Sequence, residues 1–379
     1  MSGSRFKVVT VIGTRPEIIK LSRVITVLNQ HVEHTLVHTG QNFDYELNEI
    51  FFRDLELKKP DVFLDAVGET LAETIGNVIT RLDRVLSEIQ PDAFLVLGDT
   101  NSCLGVIPAK RRKIPIFHME AGNRCFDQRV PEEVNRKIVD HTSDINMTFT
   151  EHARRYLIAE GIRPETIIKT GSPTHEVLVH AMPKIEASDI VSRLGLTPGA
   201  YFVVSAHREE NIEDPNHFRN FLATLTALAA RYQQPVIVTT HPRTRKQLDA
   251  LGVAISPLVQ FLKPLGFFDY VQLQRGARCV VSDSGTITEE ATILNLPAVT
   301  IRDAHERPEG MDEGTLIMSG LEPEHVLRCV EIVMSQHRAG ERRFRRIPDY
   351  APENVSEKVL RIIMSYTQYV NRVVWRKSL

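Results

Sequence analysis

The sequence has no apolar run long enough to cross a bilayer. AFLVLG and PVIVTT are typical of its apolar stretches, far short of the roughly 20 residues a spanning helix needs. Cysteine is scarce. Cys103, Cys125, Cys279 and Cys329 lie far apart and none forms a C-x-x-C pair, which leaves no zinc or dithiol spacing and argues against a disulfide scaffold. Neither charge dominates: 46 Lys+Arg face 48 Asp+Glu for a net charge of -2, so nucleic acid and acidic membranes find no global attraction and any bound anion needs local groups. The basic stretches AKRRK (109–113) and RRFRR (342–346) lack aromatic interleaving beyond Phe344 and read as solvated faces. Several fingerprints are also missing. No G-x-G-x-x-G follows a strand, and there is no G-x-x-x-x-G-K-[ST], G-x-S-x-G or H-E-x-x-H, which argues against bound NAD, an NTPase engine, a hydrolase elbow and a zincin. The opening MSGSRFKVVTVIG lacks signal-peptide architecture, so a soluble cytoplasmic protein is expected.

What is present is an apolar fraction of 42% over 379 residues, enough for two domains with their own cores. Short apolar runs alternate with longer segments of helical period. The runs are KVVTVIG (7–13), HTLVHTG (34–40), AFLVLGD (93–99), IPIFHME (114–120) and INMTF (145–149), then YFVVSAH (201–207), PVIVTTH (235–241), CVVSDSG (279–285) and AVTIRD (298–303). Continuous rather than alternating apolarity predicts strands covered on both faces, in a parallel sheet. Pro16–Leu28 and Pro215–Arg231 carry apolar stripes of period near 3.6, and Asn354–Arg376 reads as a terminal helix. The expectation is an α/β protein of two Rossmann-like, doubly wound domains with a cleft between them: residues 1–172, residues 173–353, and a final segment 354–379.

Polar residues crowd the C-terminal end of nearly every strand. Ser284-Gly285-Thr286 follows a strand and opens a helix, an arrangement whose free backbone N–H groups suit a phosphate. Glu289 and Glu290 stand where a carboxylate reaches sugar hydroxyls, although the same spacing also satisfies a capping box. Arg15 and Lys20 place two cations at one helix entrance, fit for a diphosphate, and Arg307 in HERPEG is a third. Asp99, Glu120 and Glu132 form a candidate acid/base group. For Glu132 and its neighbour Glu133, which open a helix behind Pro131, an interaction with the helix dipole is the alternative.

In order along the chain, VIGTRPEIIK, LVLGDTNS, FHMEAGNR, VPEEVNRK, SAHREEN, THPRT, VSDSGTITEEA and RDAHERPEG resemble the non-hydrolysing UDP-N-acetylglucosamine 2-epimerase family. The resemblance covers nearly the whole chain. It implies a glycosyltransferase-B-like fold with a C-terminal helix returning to the first domain, a UDP-N-acetylhexosamine substrate, a homodimer, and no metal or cofactor. Residue by residue, it places Asp99, Glu120, Glu132 and His207 in the catalytic group. Arg15 and Lys20 match substrate and phosphate contacts, and Arg136 matches the arginine after PEE-x-N. Ser284, Gly285 and Glu290 match the UDP site, with Glu290 on the ribose. His241 and Arg307 line the cleft, and Tyr270 replaces a Phe near the uracil.

The chain departs from the family pattern in places. Thr286 stands where a second Gly is common. Gln41-Asn42-Phe43-Asp44, with Gly68 nearby, differs from the Gln-His-Arg type segment and Arg of members activated by their own substrate, so such activation is not expected. The run GNRCFDQRVPEEVNRKIVDH more closely resembles the branch that makes UDP-N-acetyl-L-fucosamine from UDP-2-acetamido-2,6-dideoxy-L-talose for capsule and O-antigen assembly. The resemblance implies loss of UDP to a 2-acetamidoglycal and its re-addition. The missing dinucleotide fingerprint independently disfavours transient oxidation. UDP-N-acetylglucosamine as substrate, or glycosyl transfer on the same fold, are the alternatives.

Overall fold

The computed structural model describes residues 5–40, 45–206, 208, 211, 214–239, 255–304, 306–338 and 340–377. His207, His241 and the stretch 41–44 lie outside these described residues. The chain forms two compact units, residues 1–180 with 348–379, and residues 181–347.

In the first unit seven strands, β1 (Lys7–Ile12), β2 (Glu33–His38), β3 (Val62–Phe63), β4 (Ala93–Leu97), β5 (Ile116–Met119), β6 (Ile145–Thr148) and β7 (Ile167–Lys169), form a sheet in the order β3-β2-β1-β4-β5-β6-β7. Every pairing is parallel. Helices α1 (Arg15–His31), α2 (Tyr45–Asp54), α3 (Leu71–Ile89), α4 (Val106–Arg111), α5 (Pro131–Thr142), α6 (Glu151–Ala159) and α7 (Thr174–Glu186) follow in chain order. Strands β1, β4 and β5 are buried at nearly every position because helices cover both faces. On one face Val9, Val11, Phe94 and Val96 pack with Val78, Leu82 and Leu86 of α3.

The second unit holds α8 (Ile190–Arg193), β8 (Phe202–Ser205), α9 (Pro215–Tyr232), β9 (Val236–Thr239), β10 (Val259–Leu262), α10 (Phe267–Gly276), β11 (Cys279–Ser282), α11 (Ile287–Leu294), β12 (Ala298–Thr300), α12 (Glu309–Asp312), β13 (Ile317–Met318) and α13 (Pro323–Gln336). Its parallel sheet runs β10-β9-β8-β11-β12-β13. Successive side chains take opposite faces. Phe202 and Val204 pack with Phe221 and Leu225 of α9, whereas Tyr201 and Val203 pack with Leu273 and Ile287 of the other layer.

The last helix, α14 (Val355–Val373), buries Val355, Val359, Ile363 and Val370 and packs on α1 of the first unit. The segment before it is pinned by polar contacts. Asp349 takes the backbone N–H of Glu151 at 2.9 Å and pairs with Lys169 at 2.8 Å. Glu176 accepts from the backbone N–H of Ser356 at 2.9 Å.

All nine expected strands are present, as are the three helices read from periodicity. The strands that were not anticipated, β3, β7, β10 and β13, are the four sheet edges. They are two to four residues long and only partly buried, so they lack the apolar run that betrays a central strand.

Candidate active site

In each sheet the strand order reverses once, between β1 and β4 in the first and between β8 and β11 in the second. Outside the carboxyl ends of such switch-point strands, a doubly wound sheet leaves a crevice. The polar residues singled out by sequence follow these strands.

In the first unit, Gly13 and Thr14 lead from β1 into α1. A Cβ on Gly13 would fall 2.0 Å from Ser102 Oγ and 2.3 Å from Thr39 Oγ1, so only glycine lets the chain pass there. Glu17 folds back on the helix start and accepts the backbone N–H of Gly13 at 2.7 Å and of Thr14 at 2.6 Å. It also takes the hydroxyl of Thr100 at 2.7 Å, which ties the β1 turn to the β4 turn. Burial pushes its carboxyl up to about 7 although Thr100, Gly13 and Thr14 all donate to it. Arg15 at the first turn of α1 lies with its guanidinium 6.0 Å from the ring centre of Phe51.

One helical turn on, the Lys20 ammonium meets both carboxylate oxygens of Glu120, at 2.8 and 2.9 Å. It also lies 5.4 Å from the centre of the Phe149 ring. Glu120 follows β5 with φ at +62°, a left-handed conformation that costs a non-glycine residue on the order of 1–2 kcal/mol. The surroundings hold it there. Gly122, at φ +82°, donates its N–H to Asp140 at 3.2 Å. Asp140 is fully buried and pairs with Arg124 at 2.8 Å. His118 places Nδ1 2.9 Å from the same carboxylate and donates from Nε2 to the carbonyl of Gly98 at 2.8 Å. His118 thereby spans the turns that carry Asp99 and Glu120.

Asp99, after β4, accepts from Arg136 Nε at 2.7 Å. The other arm of Arg136 reaches Glu133 at 2.8 Å. For Glu133 burial works upward, but the Cys125 N–H, Arg136 and the Cys125 thiol outweigh it and hold the carboxyl below its ordinary value. The turn that carries Asp99 lies next to Glu120: a Cβ on Gly98 would stand 3.9 Å from Glu120 Oε2. Glu132, at the second residue of α5, is half-buried. Its neighbour Glu133 pairs with Arg136 at 2.8 Å.

In the second unit the turn after β11 gathers cations. Gly285 faces Arg307 so closely that a Cβ would lie 2.7 Å from Nη1, and Arg307 pairs with buried Glu289 at 2.8 Å. Arg208 donates to the carbonyl of Asp283 at 3.1 Å, and both Arg208 and Arg302 reach Glu306, at 3.3 and 3.2 Å. Thr286 occupies the N-cap of α11, yet its hydroxyl caps no backbone amide. It donates instead to Glu290 Oε1 at 3.0 Å. Gln274 of α10 donates to Glu290 Oε2 at 2.8 Å. Tyr270, one turn before Gln274, engages the side chain of Ser205, and burial, with Glu290 and Asp283 nearby, pushes its phenol up.

The structure thus brings together Lys20 with Glu120, Asp99 with Arg136, and Thr286 with Glu290. Sequence reading counted Glu17, His118 and Arg208 among the polar residues at strand ends without a role of their own, and passed over Arg124 and Asp140 in the first unit and Gln274 and Arg302 in the second. Glu17 also carried the T-x-x-E spacing of a capping box. The others act through contacts distant in sequence.

Two parallel α/β units, each with a polar crevice at its switch point, define a protein of the GT-B-like class. The sequence model of the UDP-N-acetylglucosamine 2-epimerase family matches residues 26–364; the chain belongs to this family and is an isomerase. It is similar to a solved UDP-N-acetylglucosamine 2-epimerase from Rickettsia bellii, at 54% identity and a TM-score of 0.92 over 98% of this chain and 100% of that one. It is also similar to the Methanocaldococcus jannaschii UDP-GlcNAc 2-epimerase solved with UDP-GlcNAc and UDP, at 30% identity and a TM-score of 0.88 over 95% and 100% of the two chains. A Pseudomonas aeruginosa relative, a UDP-2,3-diacetamido-2,3-dideoxy-D-glucuronate 2-epimerase, is 34% identical over 83% of this chain and 88% of its own.

Proposed function

We propose that this enzyme inverts C2 of a UDP-N-acetylhexosamine by expelling UDP and adding it back. The hydrogen at C2 is not next to a carbonyl, so direct removal and return is too slow. In anti elimination a base takes that hydrogen while the C1–O bond breaks, its electron pair leaving with UDP, and a 2-acetamidoglycal remains. Re-addition delivers a proton to the other face of C2 and returns the diphosphate oxygen to C1.

The observation that carries this reading is the pair of acids, Asp99 and Glu120, on neighbouring turns, each held by a cation at 2.7–2.9 Å. Two positioned carboxyl groups answer the need for one group to remove and one to supply a proton. Glu132 and His207 complete the proposed catalytic set. Arg15, Lys20, Arg307 and the Ser284 turn stabilise the departing diphosphate, with His241 and Arg136 lining the sugar site and Tyr270 the base.

For the sugar, the reading is UDP-2-acetamido-2,6-dideoxy-L-talose, giving UDP-N-acetyl-L-fucosamine for capsule or O-antigen assembly. Its support is the wording of the run from Gly122 to His141, GNRCFDQRVPEEVNRKIVDH, which resembles that branch and which holds Arg136, bonded to Asp99 at 2.7 Å, and Asp140, bonded to the Gly122 amide two residues after Glu120 at 3.2 Å. The names of the Rickettsia and Methanocaldococcus proteins favour a second reading, UDP-N-acetylglucosamine. The same proposal includes a cytoplasmic homodimer.

Each UDP-sugar, offered alone in deuterated water and followed by NMR, tests the reading. The expected product is the C2 epimer with deuterium at C2, formed faster from the 6-deoxy-L-talo sugar. Asp99→Asn and Glu120→Gln are each expected to lower turnover by about 10²-fold or more. Full activity in both variants, or a product keeping its original hydrogen, overturns the mechanism.

A further inference from the structure

Helix α5 holds Asp99 at two points. The side-chain amide of Asn135 donates to the backbone carbonyl of Asp99 at 2.9 Å, and Arg136 Nε donates to its carboxylate at 2.7 Å. Behind Arg136 stands Glu133, one turn back on the same helix, which accepts from Arg136 Nη1 at 2.8 Å. Exposure falls along this row of groups. The side chain of Asp99 is 26% exposed, that of Arg136 5% and that of Glu133 2%, so Glu133 is the inner end and Asp99 the outer. The other donors to Glu133 are the backbone N–H of Cys125 at 3.1 Å and of Phe126 at 3.2 Å, and the Cys125 thiol at 3.3 Å. All three belong to the loop before α5, where Phe126 has φ at +57°. The carboxylate thus turns away from the amides of its own first turn, which a capping role would engage.

We infer that Glu133 is a positioning residue for the epimerisation: by holding one arm of Arg136 it fixes the guanidinium whose other arm holds Asp99. A guanidinium is planar and rigid, so bonds at two of its nitrogens set its orientation. Held at one nitrogen alone, it turns about that bond and carries the Asp99 carboxylate with it. A group that moves a proton must stand within hydrogen-bond reach of it, and a misplacement of about 1 Å costs about 10²-fold in rate. Glu133 therefore acts on turnover, through Arg136 and Asp99, without touching the sugar. The inference rests on the role proposed above for Asp99 and adds the buried residue that aims it.

The test is a double-substitution cycle in the full-length protein. Turnover is followed by NMR on whichever of the two UDP-sugars named above the parent epimerises faster, with thermal melting as the check on folding. Glutamine at this position carries no charge and has one acceptor oxygen for donors that approach both oxygens of Glu133. Glu133→Gln is expected to lower kcat by about 10-fold or more and to leave KM within about 3-fold. In an Asp99→Asn background the same substitution is expected to lower kcat by less than about 2-fold, because the group it positions is gone. Glu133→Asp keeps the charge but is one methylene short of spanning the loop and Arg136. It is expected to show the same dependence on Asp99, and serves where Glu133→Gln does not fold. Parental kcat in the folded variants, a loss confined to KM, or an equal fall in both backgrounds overturns the positioning role. Full activity of Asp99→Asn by itself overturns instead the role proposed for Asp99, and this inference with it.

Discussion

At the scale of single residues, burial and partnership set what each acid does. Glu120 is gripped by Lys20, and Glu133 is held ionised by Arg136 and the Cys125 amide. Glu17 is the exception. Several donors surround it, yet burial dominates and its carboxyl titrates near 7 against an ordinary 4.5. Between those values the folded chain binds more protons than the unfolded one, so stability falls as pH rises through that window. Glu17→Gln keeps an oxygen for the Gly13 and Thr14 amides and turns its NH2 toward Thr100. The variant is expected to melt with the parent near about pH 4.5 and above it near about pH 8, with the slope between them flattened. A parent whose melting temperature rises from about pH 5 to 7, with a slope that Glu17→Gln leaves unaltered, contradicts this.

At the scale of elements, the decisive part is the loop from β5 into α5. It carries Glu120 at φ +62° and Gly122 at φ +82° within three residues. A Cβ on Gly122 would sit 2.5 Å from the carbonyl oxygen of Ala153 and 2.9 Å from Leu157 on α6, so substitution strains the backbone and overpacks at once. Gly122→Ala is expected to cost about 2 kcal/mol or more, read as a lower denaturation midpoint in urea. Because the shift moves Glu120 relative to Lys20, turnover is expected to fall by about 10²-fold even in the folded fraction. A folded variant with parental kinetics removes this loop from the mechanism. This element also marks how far sequence reading reached. Asp99, Glu120 and Arg136 were legible because they follow apolar runs or sit in a motif. His118 and Asp140 were not, since a buried histidine and a mid-helix aspartate look ordinary until the fold sets them 2.9 Å apart.

At the scale of the whole molecule, the first unit is closed by residues from both ends of the chain. Helix α14 contributes Val355, Val359, Ile363 and Val370, all buried. Their burial is worth about 6–12 kcal/mol together, comparable with the ~5–15 kcal/mol that separates a folded domain from its unfolded chain. Ending the chain at residue 353 is therefore expected to abolish hydrogen-exchange protection in β1 and α1 while leaving β8 and β11 of the second unit protected. Equal protection in both units, with or without α14, contradicts the assignment of that helix to the first core.

The sequence by itself determined the α/β class, the central strands, the principal helices and the motif residues at the strand ends, because hydrophobic periodicity and local turn chemistry act over a few neighbouring positions. The tertiary structure alone decided the edge strands, the pairing of Lys20 with Glu120 across 100 positions, the bridge of His118 to Asp140, and the clasp of Gln274 on Glu290. Those arrangements depend on which strands become neighbours in a sheet. A carboxylate's partner is set by distance in space, to which no single stretch of sequence has access.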